Sequence, residues 1–184
     1  MSSIEALLSR TSAPRVAEPG VTEEELNLLL RAGLRACDHG RLKPYRFILL
    51  EGKARKGLGE AMSNFIYGDS TDVSNDEIEA VKARALRAPT LLNVIFSPNK
   101  DSKIRETEQL LAAGCAAQMI VTAAHMLGVG AIWKTGAASY SKEVSNFLGL
   151  KSDEQMIAMI YLGRPVTAPS APPEVDLEQF LTRL

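Results

Sequence analysis

The sequence predicts a single domain of mixed α and β structure. Two observations carry this. Short apolar runs with strand character interleave with longer segments of helical spacing along the whole chain. No internal repeat and no linker-like stretch divides it, so residues 1–184 read as one domain. Hydrophobic residues make up 46% of the chain and charged residues 23%, enough apolar material for one sizeable core.

Taken in order, Ile4 to Leu8 reads as a short helix that ends at the polar stretch SRTSAPR. Thr22 opens a second helix. Thr22 and Glu25 have capping-box spacing, Glu23 and Glu24 suit a positive helix start, and Leu26, Leu29, Leu30, Gly33 and Leu34 share one face. This helix should end near Ala36. Arg46 to Glu51 reads as a buried strand after Pro44, followed by a helix over Ala54 to Phe65. Tyr67 to Asp76 is polar and turn-rich, a mobile loop by composition. Asp76 to Leu86 should be helical, and Thr90 to Phe96 is a second apolar strand closed by Ser97-Pro98-Asn99. Ile104 to Leu127 is the longest helical pattern. It is apolar on several sides, and Gly114, Cys115, Ala116 and Ala117 allow close packing, in a dimer even against its own copy. Val129 to Lys134 and Met156 to Leu162 complete the strands, with a short helix capped by Ser141 between them. The Pro-rich tail VTAPSAPPEV should lie extended, and Asp176 to Leu184 adds a last short helix or strand. The sheet need not be purely parallel.

Bulk properties narrow the function. A formal net charge of -1 and a 5% aromatic content argue against nucleic acid as the main partner, which needs a basic face or stacking rings. A small anionic ligand needs only a local cluster of donors. Two cysteines, Cys37 and Cys115, make no disulfide framework and point to a reducing cytoplasm. No apolar run reads as a membrane span, and the N-terminus lacks a secretory apolar core.

Three segments carry candidate chemistry. SRTSAPR packs Arg10, Ser12 and Arg15 into one turn-rich stretch, a donor set suited to phosphate but equally an exposed polar turn. RACDHGRLKPYRF places Cys37, Asp38 and His39 among the cations Arg35, Arg41, Lys43 and Arg46. A Cys–His catalytic pair seldom forms between near neighbours, and a zinc site finds no further ligands at suitable spacing. An anion or cofactor clamp of Arg35, His39 and Arg41 stays open beside a plain loop histidine. In GAIWKTGA, Lys134 and Thr135 stand at a strand end, where α/β proteins commonly bind ligands, and Trp133 either packs on a planar ring or belongs to the core. Gly128-Val-Gly130 is no dinucleotide fingerprint, and neither a P-loop nor a G-x-S-x-G elbow is present.

Together these segments resemble the nitroreductase family of FMN-dependent oxidoreductases, in particular its short NAD(P)H nitroreductase subgroup. SRTS is similar to the family's Arg-x-Ser element, RACDHGRLKPYRF to its segment before a strand, GAIWK to its Gly-Ile-Trp-like turn, and YLGRP to its Leu-Gly-x-Pro. The resemblance implies an α+β fold, a central mixed β-sheet flanked by helices in an intertwined homodimer, with two FMN sites at the subunit interface. It implies that Arg10, Thr11 and Ser12 hold the ribityl-phosphate, that Trp133, Lys134 and Thr135 complete the same subunit's site, and that Arg35 and His39 reach the flavin from the partner subunit. The nicotinamide segment would be Ala123, Ala124, His125, Met126, Leu127 and Gly128. The implied reaction is ping-pong transfer of two electrons from NADPH or NADH to a small nitroaromatic or quinone acceptor. The flavin carries the hydride and no side chain serves as nucleophile; Arg15 and Arg41 are candidates to stabilise its reduced form. A flavin-binding module without turnover is the alternative. The chain departs from the family in having Thr11 where many relatives carry a second arginine, Arg41 where many carry asparagine, and Lys43 and Tyr45 in place of Gln and Trp around Pro44.

Overall fold

The computed structural model describes residues 3–68, 70, 72–168 and 170–184. Its core is a sheet in which β2 (Tyr45–Glu51), β3 (Thr90–Phe96), β5 (Gln155–Pro165) and β4 (Gly130–Lys134) lie side by side. A two-residue strand, β1 (Val16–Ala17), pairs with the C-terminal end of β5. The helix-flanked α+β architecture is as expected. Within the chain every pair among the described residues is antiparallel, so a parallel strand of a mixed sheet would have to come from outside one chain.

The sheet is buried on both faces because its strands alternate between two apolar layers. Leu91 and Ile95 of β3 face one layer, while Leu92, Val94 and Phe96 face the other. The first layer is built with α3 (Ala54–Tyr67), α4 (Asn75–Lys82) and α6 (Lys142–Phe147), and the second with α2 (Glu23–Gly33) and α5 (Glu106–Met126). The β3–β5 register shifts once: Val94 pairs with Ala158 and Ile95 with Met156. Ile157 is the extra residue of a bulge, which lets Met156 return to the first layer after Ala158 faces the second.

The helix ends follow local chemistry. Thr22 accepts from the Glu25 N–H at 3.1 Å and the Glu25 carboxylate accepts from the Thr22 N–H at 2.8 Å, the reciprocal box the sequence predicts. A second box, Ser74 with Glu77, opens α4. Ser141 caps α6 by accepting from the Val144 N–H. Helix α5 closes in a Schellman motif: Gly128 sits at φ 72, its N–H reaches the His125 carbonyl, and the Val129 N–H reaches that of Ala124.

Several expectations need correction. Helix α2 ends at Gly33 rather than near Ala36, and Leu34 is exposed because the chain leaves the helix there. The helix expected over Asp76 to Leu86 is α4 followed by a tighter 3-10 turn, Ala83–Leu86. Strand β5 runs on to Pro165 because β1 pairs with its end. The last element is a 3-10 turn, Leu177–Gln179. The loop expected over Tyr67 to Asp76 includes Asp69 and Thr71, and the tail includes Pro169; these residues lie outside the described ones. By length and composition α5 is a candidate membrane span, against expectation, yet half of its most apolar window is buried inside this fold.

Candidate functional site

The segment after α1 (Ser3–Leu8) is pinned at three points. The Ser9 hydroxyl lies 3.1 Å from Nε2 of His125 at the end of α5. The Ala13 N–H donates to the Ala131 carbonyl of β4 at 2.9 Å, and the Arg15 carbonyl accepts from the Val166 N–H. Residues from Arg10 to Arg15 therefore run beside β4, although more than a hundred positions separate the two in sequence. Thr11 and His125 line one small recess with Gly128, Gly130 and Ala131. The Thr11 hydroxyl is buried there and has no hydrogen-bond partner among the described residues, an orphan that a bound ligand would satisfy.

Strand β4 carries the second element. Lys134 and Thr135 open onto a cleft of about 280 Å³. Lys134 sets its ammonium 5.7 Å from the centre of the Tyr161 ring, a cation–π contact. Burial pushes the Tyr161 phenol up, so it stays protonated and donates to the Arg84 carbonyl at 3.2 Å. Trp133 alternates to the other face of the strand, where its indole N–H donates to the bulged Ile157 carbonyl. It is 37% exposed, so it is neither core nor a wall of this cleft.

The cleft also receives residues that the motifs did not reveal: Met62, Phe65 and Ile66 from α3, and Arg84 and Arg87 from the turn before β3. An adjoining recess adds Arg15 and shares Arg87 and Lys134. Four cations thus surround two neighbouring hollows, and among the described residues no carboxylate lines either. The available signal was the spacing RALR, since residues three apart in a 3-10 turn point the same way.

Arg35 and His39 lie elsewhere. Arg35 follows the C-terminus of α2 and lines a shallow recess with Asp38, Arg41 and Lys43. His39 Nδ1 sits 2.5 Å from the Glu108 carboxylate in the first turn of α5. Asp38 accepts from the Lys43 N–H at 2.7 Å, and Arg41 and Lys43 both adopt left-handed backbone, at φ 56 and 47, which costs energy in a residue with a Cβ. Helix α5 measures the separation: His39 contacts its start at Glu108, and Ser9 its end at His125. Those contacts are seventeen positions apart, roughly 25 Å at a helical rise of about 1.5 Å each. Within one chain, the Arg35–His39 set and the Arg10–Ser12 set are therefore well apart.

The expected nicotinamide segment is the Schellman-capped end of α5. Ala124 is fully buried, Met126 and Leu127 are exposed, and His125 is tied to Ser9.

Comparison with known proteins places the chain and its fold. A model described as "Nitroreductase family" matches residues 16–164, a span that begins just after SRTSAPR. The "Putative NAD(P)H nitroreductase YdjA" of Escherichia coli (strain K12) is 33% identical over 165 residues, covering 90% of this chain and 89% of the relative. Among solved structures, a nitroreductase-like family protein from Bacillus cereus matches with a TM-score of 0.84 at 20% identity, over 100% of this chain and 96% of the other. The FMN and NADPH-dependent nitroreductase NfnB from sphigopyxis sp. strain HMH matches at 0.78 and 18% identity, over 100% and 99% of the two chains. The two structural likenesses speak for the fold alone.

Proposed function

This chain belongs to the nitroreductase family, and on that footing we propose that it is an FMN-dependent NAD(P)H oxidoreductase working as a homodimer. The observation that carries the reading is the run of Arg10 to Arg15 beside β4, fixed by the Ala13–Ala131 hydrogen bond. It brings together two segments that resemble the family's flavin elements.

The residues present fit FMN. The buried Thr11 hydroxyl lacks a partner among the described residues, and a phosphate oxygen would supply one. Arg10 offers a guanidinium able to bind a phosphate in two hydrogen bonds, and Ser12 a further donor. Lys134 and Thr135 would complete the seat beside them, with Trp133 bracing β4 through Ile157. Arg15 and Lys134 share a recess that no carboxylate among the described residues lines, so they favour negative charge on a ring bound there. When bound, FMN supplies two-electron redox chemistry between NADH or NADPH and a nitroaromatic or quinone acceptor, the two alternating at one site. The chain's part is to bind, orient and set the local charge.

Arg35 and His39 would join the site from the other subunit, because about 25 Å of α5 keeps them from it within one chain. Ala123 to Gly128 is kept as the segment that receives the nicotinamide. The two exposed, free cysteines, Cys37 and Cys115, fit a reducing cytoplasm.

The test is the visible spectrum of the purified protein before and after NADPH is added without oxygen. A flavin band that NADPH bleaches is expected. A protein that stays colourless and cannot be reconstituted with FMN would overturn the reading, and a yellow protein that nicotinamide never reduces would make it a binding module.

A further inference from the structure

We infer that Glu108 is a positioning residue for the flavin site of the other subunit: it fixes the ring of His39 so that Nε2 is presented to the flavin across the dimer interface. This rests on the reading of the FMN site as one shared between two chains, in which His39 enters from the partner.

The chemistry of the pair settles which ring atom is free. A carboxylate only accepts, so the Nδ1 that lies 2.5 Å from Glu108 carries a proton and donates it. Among the described residues neither side chain has another hydrogen bond or ion pair. Nε2 is therefore the nitrogen left for a ligand, and the bond at Nδ1 sets the plane of the ring.

Both halves of the pair stand on held backbone. Glu108 lies in the first turn of α5 beside Gln109. Gln109 is buried; its side chain accepts from the Asn99 N–H and donates to the Asn99 and Ile104 carbonyls. His39 opens a 3-10 turn, His39–Arg41, in which the Arg41 N–H returns to the Asp38 carbonyl. Gly40, at φ 75, packs so closely on Ile104 that a Cβ there would collide with it. Two fixed supports, 69 positions apart in sequence, thus meet in one bond.

That bond does little for the fold. The His39 side chain is 68% exposed and that of Glu108 43%, and an ion pair in water loses most of its attraction to screening and to the ordering of two side chains. What it does is hold an exposed imidazole in one place before a ligand arrives, which removes an ordering cost from binding.

The test follows FMN retention by equilibrium dialysis of FMN-loaded dimers, with sedimentation velocity reporting the assembly of each variant. Glu108→Ala is expected to weaken retention about tenfold, as loss of one well-placed hydrogen bond does. Glu108→Gln, whose amide oxygen still accepts from Nδ1, is expected to cost about threefold at most. In a His39→Ala background Glu108→Ala should cost nothing further, because Glu108 acts only through that ring. A chain carrying Arg10→Ala, paired with a chain carrying Glu108→Ala, should hold one FMN tightly, since both lesions then fall on one site. Unchanged retention in Glu108→Ala overturns the inference, as does a further loss in the His39→Ala background. So does a heterodimer with no tight site where Arg10→Ala paired with His39→Ala has one. A Glu108→Ala chain that no longer dimerises also overturns it, since Glu108 would then serve the assembly. If His39→Ala retains FMN as wild type does, the shared-site reading itself fails and the inference falls with it.

Discussion

Glu154 and Glu25 are held by Arg46 and Arg164, and these pairs set the acid limit of the fold. Hydrogen bonds from Arg46 hold the Glu154 carboxylate at about 2 instead of 4.5, and Arg164, with the Thr22 N–H, does the same for Glu25. Both folded values are depressed, so the stability they contribute is complete above the ordinary carboxylate range and is lost as pH falls toward 2. Thermal melts should drop steeply across that window, and Glu25→Gln should flatten the drop. Glu154→Gln at neutral pH should cost about 2 kcal/mol in a denaturant titration, because it replaces a charged acceptor of two Arg46 hydrogen bonds. At the site, Arg10→Ala is expected to weaken FMN retention by about tenfold or more, read by equilibrium dialysis, because phosphate charge is left uncompensated. Arg10 and Ser12 were legible as a donor set from composition. Arg84 and Arg87 were not, since only the tertiary approach of their turn to β4 makes them neighbours of Lys134.

Elements were the most legible scale. Thr90–Phe96 matched residue for residue, because a run that is apolar but for Thr90 and Asn93, set between proline-bearing turns, has one reading. Ends set by tertiary pairing were missed: β1 is two residues long and exists only through β5. The bulge at Ile157 is equally invisible in a continuously apolar strand. Helix α3 lines the cleft with Met62, Phe65 and Ile66, and it crosses the end of α4 closely at Gly59. A Cβ there would come within 2.6 Å of the Lys82 carbonyl oxygen. Gly59→Ala should therefore destabilise the protein by about 1–3 kcal/mol.

At the scale of the molecule, the proposed site needs two chains. Helix α5 leaves Leu111 68% exposed and Met126 49% exposed, a surface left open among the described residues. A copy laid antiparallel there would bring the His39 end of one subunit to the Ser9 end of the other. The sequence already suggested that α5 could lie against its own copy through its small residues; the direction of such a contact depends on where the helix sits on the sheet. Leu111→Glu should shift the protein toward monomer in sedimentation velocity and release FMN with it. The most direct test mixes two defects, Arg10→Ala and His39→Ala. Each homodimer should retain FMN poorly, since both of its sites carry the lesion. In the heterodimer, isolated by a different tag on each chain, one site carries both lesions and the other neither. The expected result is one tightly held FMN per heterodimer; a heterodimer that binds FMN no better than its parents would contradict the composite site.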